Sequence, residues 1–157
     1  MVNVRIEKKD SFRIIGEKIY ITKLEQFSDF WRLSHENGLI EKLNEIRENY
    51  GCPITNGTHI GLSCTENDPE NRDFYFFVSI EYPDNISYQG ELEVYNVNEF
   101  KWAIFSKNDT EIKALYDCEM YAFKEWLPSS HYKHAYGPEM EVYHKDKIEF
   151  WLPIVEK

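Results

Sequence analysis

Two rhythms of apolar and polar positions alternate along this chain, one with the period of strands and one with the period of helices. From Val2 to Lys23 the pattern is extended. The stretch "FRIIGEKIYIT" concentrates β-branched and aromatic residues, with Gly16 expected at a bulge or bend. The period then lengthens. Thr22 and Glu25 have capping-box spacing, and Phe27, Phe30, Trp31 and Ser34 recur on one helical face. Gly38 should interrupt this helix, and Leu39, Ile40, Leu43 and Ile46 spell a second that stops at "NYGCP". "THIGLSCT", a polar turn "ENDPENRD" and the doubly apolar "FYFFVSIEY" follow as strand, loop and strand, and "PDNISYQGE" as a connecting loop.

The same order then restarts. "LEVYNVNEFKWAIFSK" reads as extended. Asn108 and Glu111 are placed to cap a helix with the apolar stripe Ile112, Leu115, Tyr116, Met120, Phe123 and Leu127, which Pro128 should end. A loop "SSHYKH" leads to "AYGPEMEVY", the turn "HKDK" and "IEFWLPI". Each half thus spells strand, helix, strand, strand. The expectation is an internal duplication, with halves at about 1–83 and 91–157 within a single domain spanning 1–157. Two such modules would form an α+β fold: an antiparallel sheet with the helices on one face and a ligand groove on the other.

Composition narrows the function classes. At 157 residues the chain can bury a sizeable core, and its 16% aromatic content supplies flat, rigid walls for a core or a cavity. A net charge of −10 argues against a phosphate-backbone partner, so no direct nucleic-acid binding is expected, while cationic ligands would be attracted at long range. No signal peptide or membrane-length apolar run is present. Three widely spaced cysteines, Cys52, Cys64 and Cys118, suit a reducing, cytoplasmic setting better than a disulfide scaffold. His131, His134 and Glu139 lack a second cluster to complete a metal site, and no glycine-rich phosphate loop occurs, so neither metal nor cofactor is expected.

The closing hairpin poses the chemical question, because Glu141 and Glu149 sit within its aromatic strands. A three-residue turn, His144 to Asp146, would put the two carboxylates opposite each other on one face. Adding Lys147 to the turn would put them on opposite faces. A solvated edge hairpin would also alternate in this way. A carboxylate on a half-buried aromatic face, by contrast, needs a partner such as a cationic ligand.

The strings "FSDFWRL", "NYGCP", "RDFYFFVSIEY", "NEFKWAIFSK", "FKEWLPSSHY", "GPEMEVY" and "IEFWLPI", in this order, resemble the GyrI-like effector-binding domain of AraC-type and MerR-type transcription regulators, which also occurs free-standing. The resemblance covers essentially the whole chain. It implies a duplicated fold whose central groove binds small molecules, commonly lipophilic cations or drugs, aromatic or cationic in character, between aromatic walls and over acidic residues that fall here on Glu141 and Glu149. Because the chain starts at the domain's first strand, a sensor without a DNA-binding module is expected. Tyr20, Trp31, Trp102, Trp126, Tyr143 and Trp151 lie in segments that such a fold would bring near the groove, although each would serve equally as core. Some free-standing relatives hydrolyse strained cyclopropane compounds with a pocket glutamate and tyrosine, which would cast Glu149 or Glu141 with Tyr143 in catalytic roles. The family's founding member modulates DNA gyrase, so a protein partner is a third reading.

Overall fold

The strand-period segments pair into one antiparallel sheet, and the helix-period segments pack against it. The computed structural model describes residues 1–65 and 73–157. The turn expected in "ENDPENRD" lies, Asp73 apart, outside the described residues. Nine strands are present among the described residues: β1 (Asn3–Lys9), β2 (Phe12–Ile21), β3 (His59–Ser63), β4 (Phe74–Tyr82), β5 (Glu93–Val97), β6 (Phe100–Ser106), β7 (Tyr132–His134), β8 (Glu139–Tyr143) and β9 (Ile148–Glu156). The helices are α1 (Glu25–Glu36), α2 (Leu39–Tyr50) and α3 (Ile112–Tyr121). The third continues through a π-helical turn (Ala122–Trp126) into a last turn, α4 (Leu127–Ser129).

The strand order is β1-β6-β9-β8-β3-β4-β2-β5, with β7 paired to β9 off this path. Within it, β2-β4-β3 and β6-β9-β8 have the same internal order and meet at the β3–β8 pair. Each half also receives a strand from the other, since β1 pairs with β6 and β5 with β2.

One face of the sheet carries every helix. Ile15, Ile21, Phe76 and Val78 pack there with Phe30 of α1 and Leu39, Ile40 and Leu43 of α2. Further along the same face Ala103, Phe105, Phe150 and Leu152 pack with Leu115 and Cys118 of α3 and with Ala122. The other face closes on itself. Phe12, Ile14, Leu62, Phe77, Trp102, Ile104, Met140 and Trp151, drawn from strands across the whole order, form one dry cluster with no residue of these helices in it. Among the described residues the sheet fills the side opposite the helices, the expected place of the groove, with its own side chains.

Several local expectations change for identifiable reasons. Gly16 is no bulge: it pairs in unbroken register with Ser79 and Glu93. Its lack of a side chain serves close approach, since a Cβ there would collide with the Val78 carbonyl and lie 2.8 Å from Ser79 Cα. At the start of α1, Gln26 replaces Glu25 as the capping group, its Oε1 accepting from the Thr22 and Lys23 backbone N–H groups at 2.7 Å each. Gly38, as expected, takes a left-handed conformation (φ 85°) between α1 and α2. Ahead of α3, Asn108 adopts φ 57°, and it is Asp109 whose Oδ1 accepts from Glu111 N–H at 2.9 Å. Pro128 lies inside the final turn, which runs to Ser129. In "SSHYKH" the segment Tyr132–His134 is a short strand, because the long β9 offers an unpaired edge beyond the end of β8.

Candidate functional site

Register decides what each strand of the closing hairpin presents. Glu141 pairs with Phe150 and Val142 with Glu149, so the turn contains four residues, His144 to Lys147, closed by His144 N–H donating to Lys147 O at 2.9 Å. Side chains alternate along a strand. Glu141, Tyr143 and Phe150 therefore face the helices, and Glu149 and Trp151 face the closed core.

A cavity of about 360 Å³ opens on the helix-bearing face, between α1 with the residues before it and the start of α3. This is the size range of small-molecule sites. Phe27 and Trp31 form one wall, Ile112, Leu115 and Tyr116 the other, and Glu139, Glu141, Tyr143 and Phe150 the floor. Trp31 packs edge-on to Tyr143, with ring centroids 5.0 Å apart, and Phe27 edge-on to Phe76 at 4.9 Å. Asp73 and Glu119 also line the cavity, so four carboxylates and a single amine, that of Lys23, surround it among the described residues.

Glu141 is the chemical centre of this floor. Its Oε1 accepts from Trp31 Nε1 at 3.1 Å and from the Tyr143 hydroxyl at 2.7 Å. No basic side chain of the described residues pairs with it. Burial raises its pKa above the ordinary carboxylate value, although the two donated hydrogen bonds oppose that shift. Burial, reinforced by the Glu141 charge, also lifts Tyr143 well above the usual tyrosine value, so its hydroxyl stays a donor. Gly61, the partner of Glu141 on β3, makes room for this arrangement. A Cβ at Gly61 would lie 2.5 Å from both Glu141 Cγ and Oε1.

Glu149 has a different task. It is fully buried, with His144 Nε2 2.7 Å and Trp151 Nε1 3.1 Å from Oε1, and Arg5 Nη1 2.7 Å and Lys147 Nζ 3.6 Å from Oε2. Burial would raise its pKa, but the hydrogen bonds from His144, Arg5 and Trp151, with the Arg5 charge, overcome that and lower it to about 2. It ties β1 to the closing hairpin and lies outside the cavity.

Of the residues expected at the groove, the structure brings together Glu141, Tyr143 and Trp31. Trp102 and Trp151 lie in the dry core of the opposite face, their rings 5.6 Å apart. Trp126 stacks on Tyr132 at 6.0 Å, beyond the cavity. Tyr20 is half-exposed against Tyr75, also outside it. The stripe expected to bury α3 divides. Leu115 is buried, while Ile112, Tyr116 and Met120 are about half-exposed, and small residues (Ala114, Cys118, Ala122) complete the packed face. Ile112 and Tyr116 are thus cavity wall rather than core, which a purely hydrophobic pattern cannot distinguish. Glu119 on α3 and Glu139 on β8 also line the cavity, a place the sequence reading gave to neither. None of the three cysteines forms a disulfide among the described residues, and burial pushes the Cys52 and Cys118 thiols up to about 11, which keeps both protonated. His134 Nε2 lies 2.8 Å from Glu139 Oε2.

Known proteins share this architecture. A tetraphenylphosphonium-bound structure of SAV2435 superimposes with a TM-score of 0.78 at 17% identity, covering 98% of this chain and 94% of that one. An integron cassette protein from the mobile metagenome of Vibrio cholerae gives 0.62 at 17% identity, with 97% and 95% covered. The C-terminal domain of EcmrR gives 0.65 at 10% identity, with 100% and 99% covered. In a DNA complex of EcmrR, this chain corresponds to 58% of the EcmrR chain. No curated protein matches the sequence. Residues 5–154 match the family Cass2, described as integron-associated effector binding protein, and the chain belongs to that family, with the GyrI-like effector-binding fold.

Proposed function

We propose that the cavity is an effector site for a lipophilic, aromatic or quaternary cation, with the ligand's charge over Glu141 and its apolar body between Trp31, Phe27 and Tyr116. The observation that carries this reading is the isolation of Glu141. It is a half-buried carboxylate held by two neutral donors, whereas the fully buried Glu149 on the same hairpin has every charge partner it needs. An unpaired carboxylate in an apolar site is costly, and a bound cation would remove that cost. The tetraphenylphosphonium found on the same fold in SAV2435 supports this ligand class. Cysteines that form no disulfide among the described residues support a cytoplasmic setting, and among those residues no helix is long and apolar enough to cross a membrane. The protein would act as the sensing part of a regulatory system, a reading supported by the fold it shares with the C-terminal domain of EcmrR, a protein seen in complex with DNA.

Titration of tryptophan fluorescence with tetraphenylphosphonium and with neutral triphenylphosphine oxide tests the reading. The cation should bind and the neutral compound should bind at least about tenfold more weakly, with the difference lost in Glu141→Gln, since roughly 1.4 kcal/mol of charge pairing is a factor of ten. Affinity should rise with pH through the raised Glu141 pKa, because only the ionised form pairs with a cation. Equal binding of both compounds would overturn the charge-pairing role.

The Glu141–Tyr143 pair supports a second reading. A carboxylate of raised pKa with a protonated phenol beside it could draw a proton from water and orient an electrophile, as in hydrolysis. Recovery of ligands unchanged after prolonged incubation would separate binding from turnover.

A further inference from the structure

Beyond the cavity mouth, the exposed side of α3 continues in one apolar row. Ile112, Tyr116 and Met120 are spaced four residues apart and are 52%, 48% and 50% exposed. At 1.5 Å per residue this row is about 12 Å long. Ile112 and Tyr116 line the cavity and Met120 does not, so the row begins inside the site and leaves it. Leu24, 71% exposed, stands on the facing rim. The continuity of this row with the cavity identifies an occupant for it: the rest of a molecule already anchored inside. At about 360 Å³ the cavity holds a compact head and leaves a long chain outside.

We propose that the α3 row is a tail subsite, and that the preferred ligands are cationic amphiphiles: a quaternary ammonium head over Glu141 and a linear alkyl chain laid along Tyr116 and Met120. This inference rests on the effector-site reading and names the ligand class within it. Met120 then sets preference for chain length. Its unbranched, polarizable side chain adapts to a flexible hydrocarbon better than a rigid ring would.

The test is a displacement titration of bound tetraphenylphosphonium by alkyltrimethylammonium salts, hexyl to hexadecyl, each below its micelle concentration. Burying one methylene fully corresponds to about a fourfold gain in affinity. The expected result is a gain of about twofold to fourfold per methylene that continues until the chain outruns the row of about 12 Å and then levels off. In Met120→Ser the levelling should come at a shorter chain, with tetraphenylphosphonium affinity unchanged. A plateau at short chain length in the native protein overturns the tail subsite and leaves the compact-cation site standing. Unchanged long-chain affinity in Met120→Ser also overturns it. Failure of every cation, tetraphenylphosphonium included, defeats the effector-site reading itself. Sedimentation of the ligand-free protein completes the test: a dimer that Met120→Ser dissociates would assign the row to a second copy and overturn the proposal.

Discussion

Glu141 and Glu149 lie on one hairpin and titrate in opposite directions, and each direction has a stability consequence. Glu149 is held at about 2 against an ordinary 4.5, so its ionised form stabilises the fold. That contribution, on the order of 3 kcal/mol, is present above about pH 4.5 and lost as pH falls toward 2. Urea unfolding of Glu149→Gln at neutral pH should show a loss of this size and a flatter acid limb. Glu141 has the reverse sign. Its raised pKa means that the charged form costs stability, a cost that grows as pH rises through the ordinary carboxylate range. Glu141→Gln, able to keep both donated hydrogen bonds, should leave the ligand-free protein as stable as before or more so while losing cation selectivity. Gly61→Ala acts on the same carboxylate from outside. The added methyl must displace Glu141 or part β3 from β8, with an expected cost of about 1–3 kcal/mol and weakened ligand binding. Thermal unfolding and the tetraphenylphosphonium titration would read the two effects separately.

Among the elements, α1 matters most to the site because it delivers Trp31 and Phe27. Its first turn depends on Gln26, whose side chain reaches back to two backbone donors. Gln26→Ala should cost about 1 kcal/mol of stability and loosen the Trp31 wall, read as faster amide exchange at Thr22 and Lys23. This element also shows what the sequence could reveal. The helix, its apolar face and the break at Gly38 follow from periodicity and backbone chemistry, both local properties. The Glu25-for-Gln26 error is a one-residue shift between two equally good acceptors. The misassigned side of the groove arose differently. Alternation tells which residues share a face but not which face curls shut, and that depends on how Trp102, Trp151 and Phe77 fill the concave side together. The role of Glu149 was hidden for a similar reason, since it turned on whether Lys147 belonged to the turn.

At the scale of the whole molecule, the cavity lies where α1, from the first half of the sequence, faces α3, from the second, above the β3–β8 pair that joins them. A ligand there touches both halves at once. Saturation at about a hundred times Kd should stabilise the fold by about 2.7 kcal/mol, and amide exchange should slow in α1 and α3 together. Slowing confined to one helix would show that the ligand engages only one wall. The dry side of the sheet joins strands of both halves, and of its cluster only Met140, among the described residues, also reaches the cavity. The two carboxylates of the closing hairpin divide in the same way, one welding the strands and the other turned into the cavity. On the proposed reading, ligand choice and structural integrity thereby fall to side chains that point away from each other. A library randomised at Phe27, Trp31, Ile112 and Tyr116 should therefore yield mostly folded proteins with altered ligand preferences, whereas the same freedom at Trp102 and Trp151 should yield mostly aggregates.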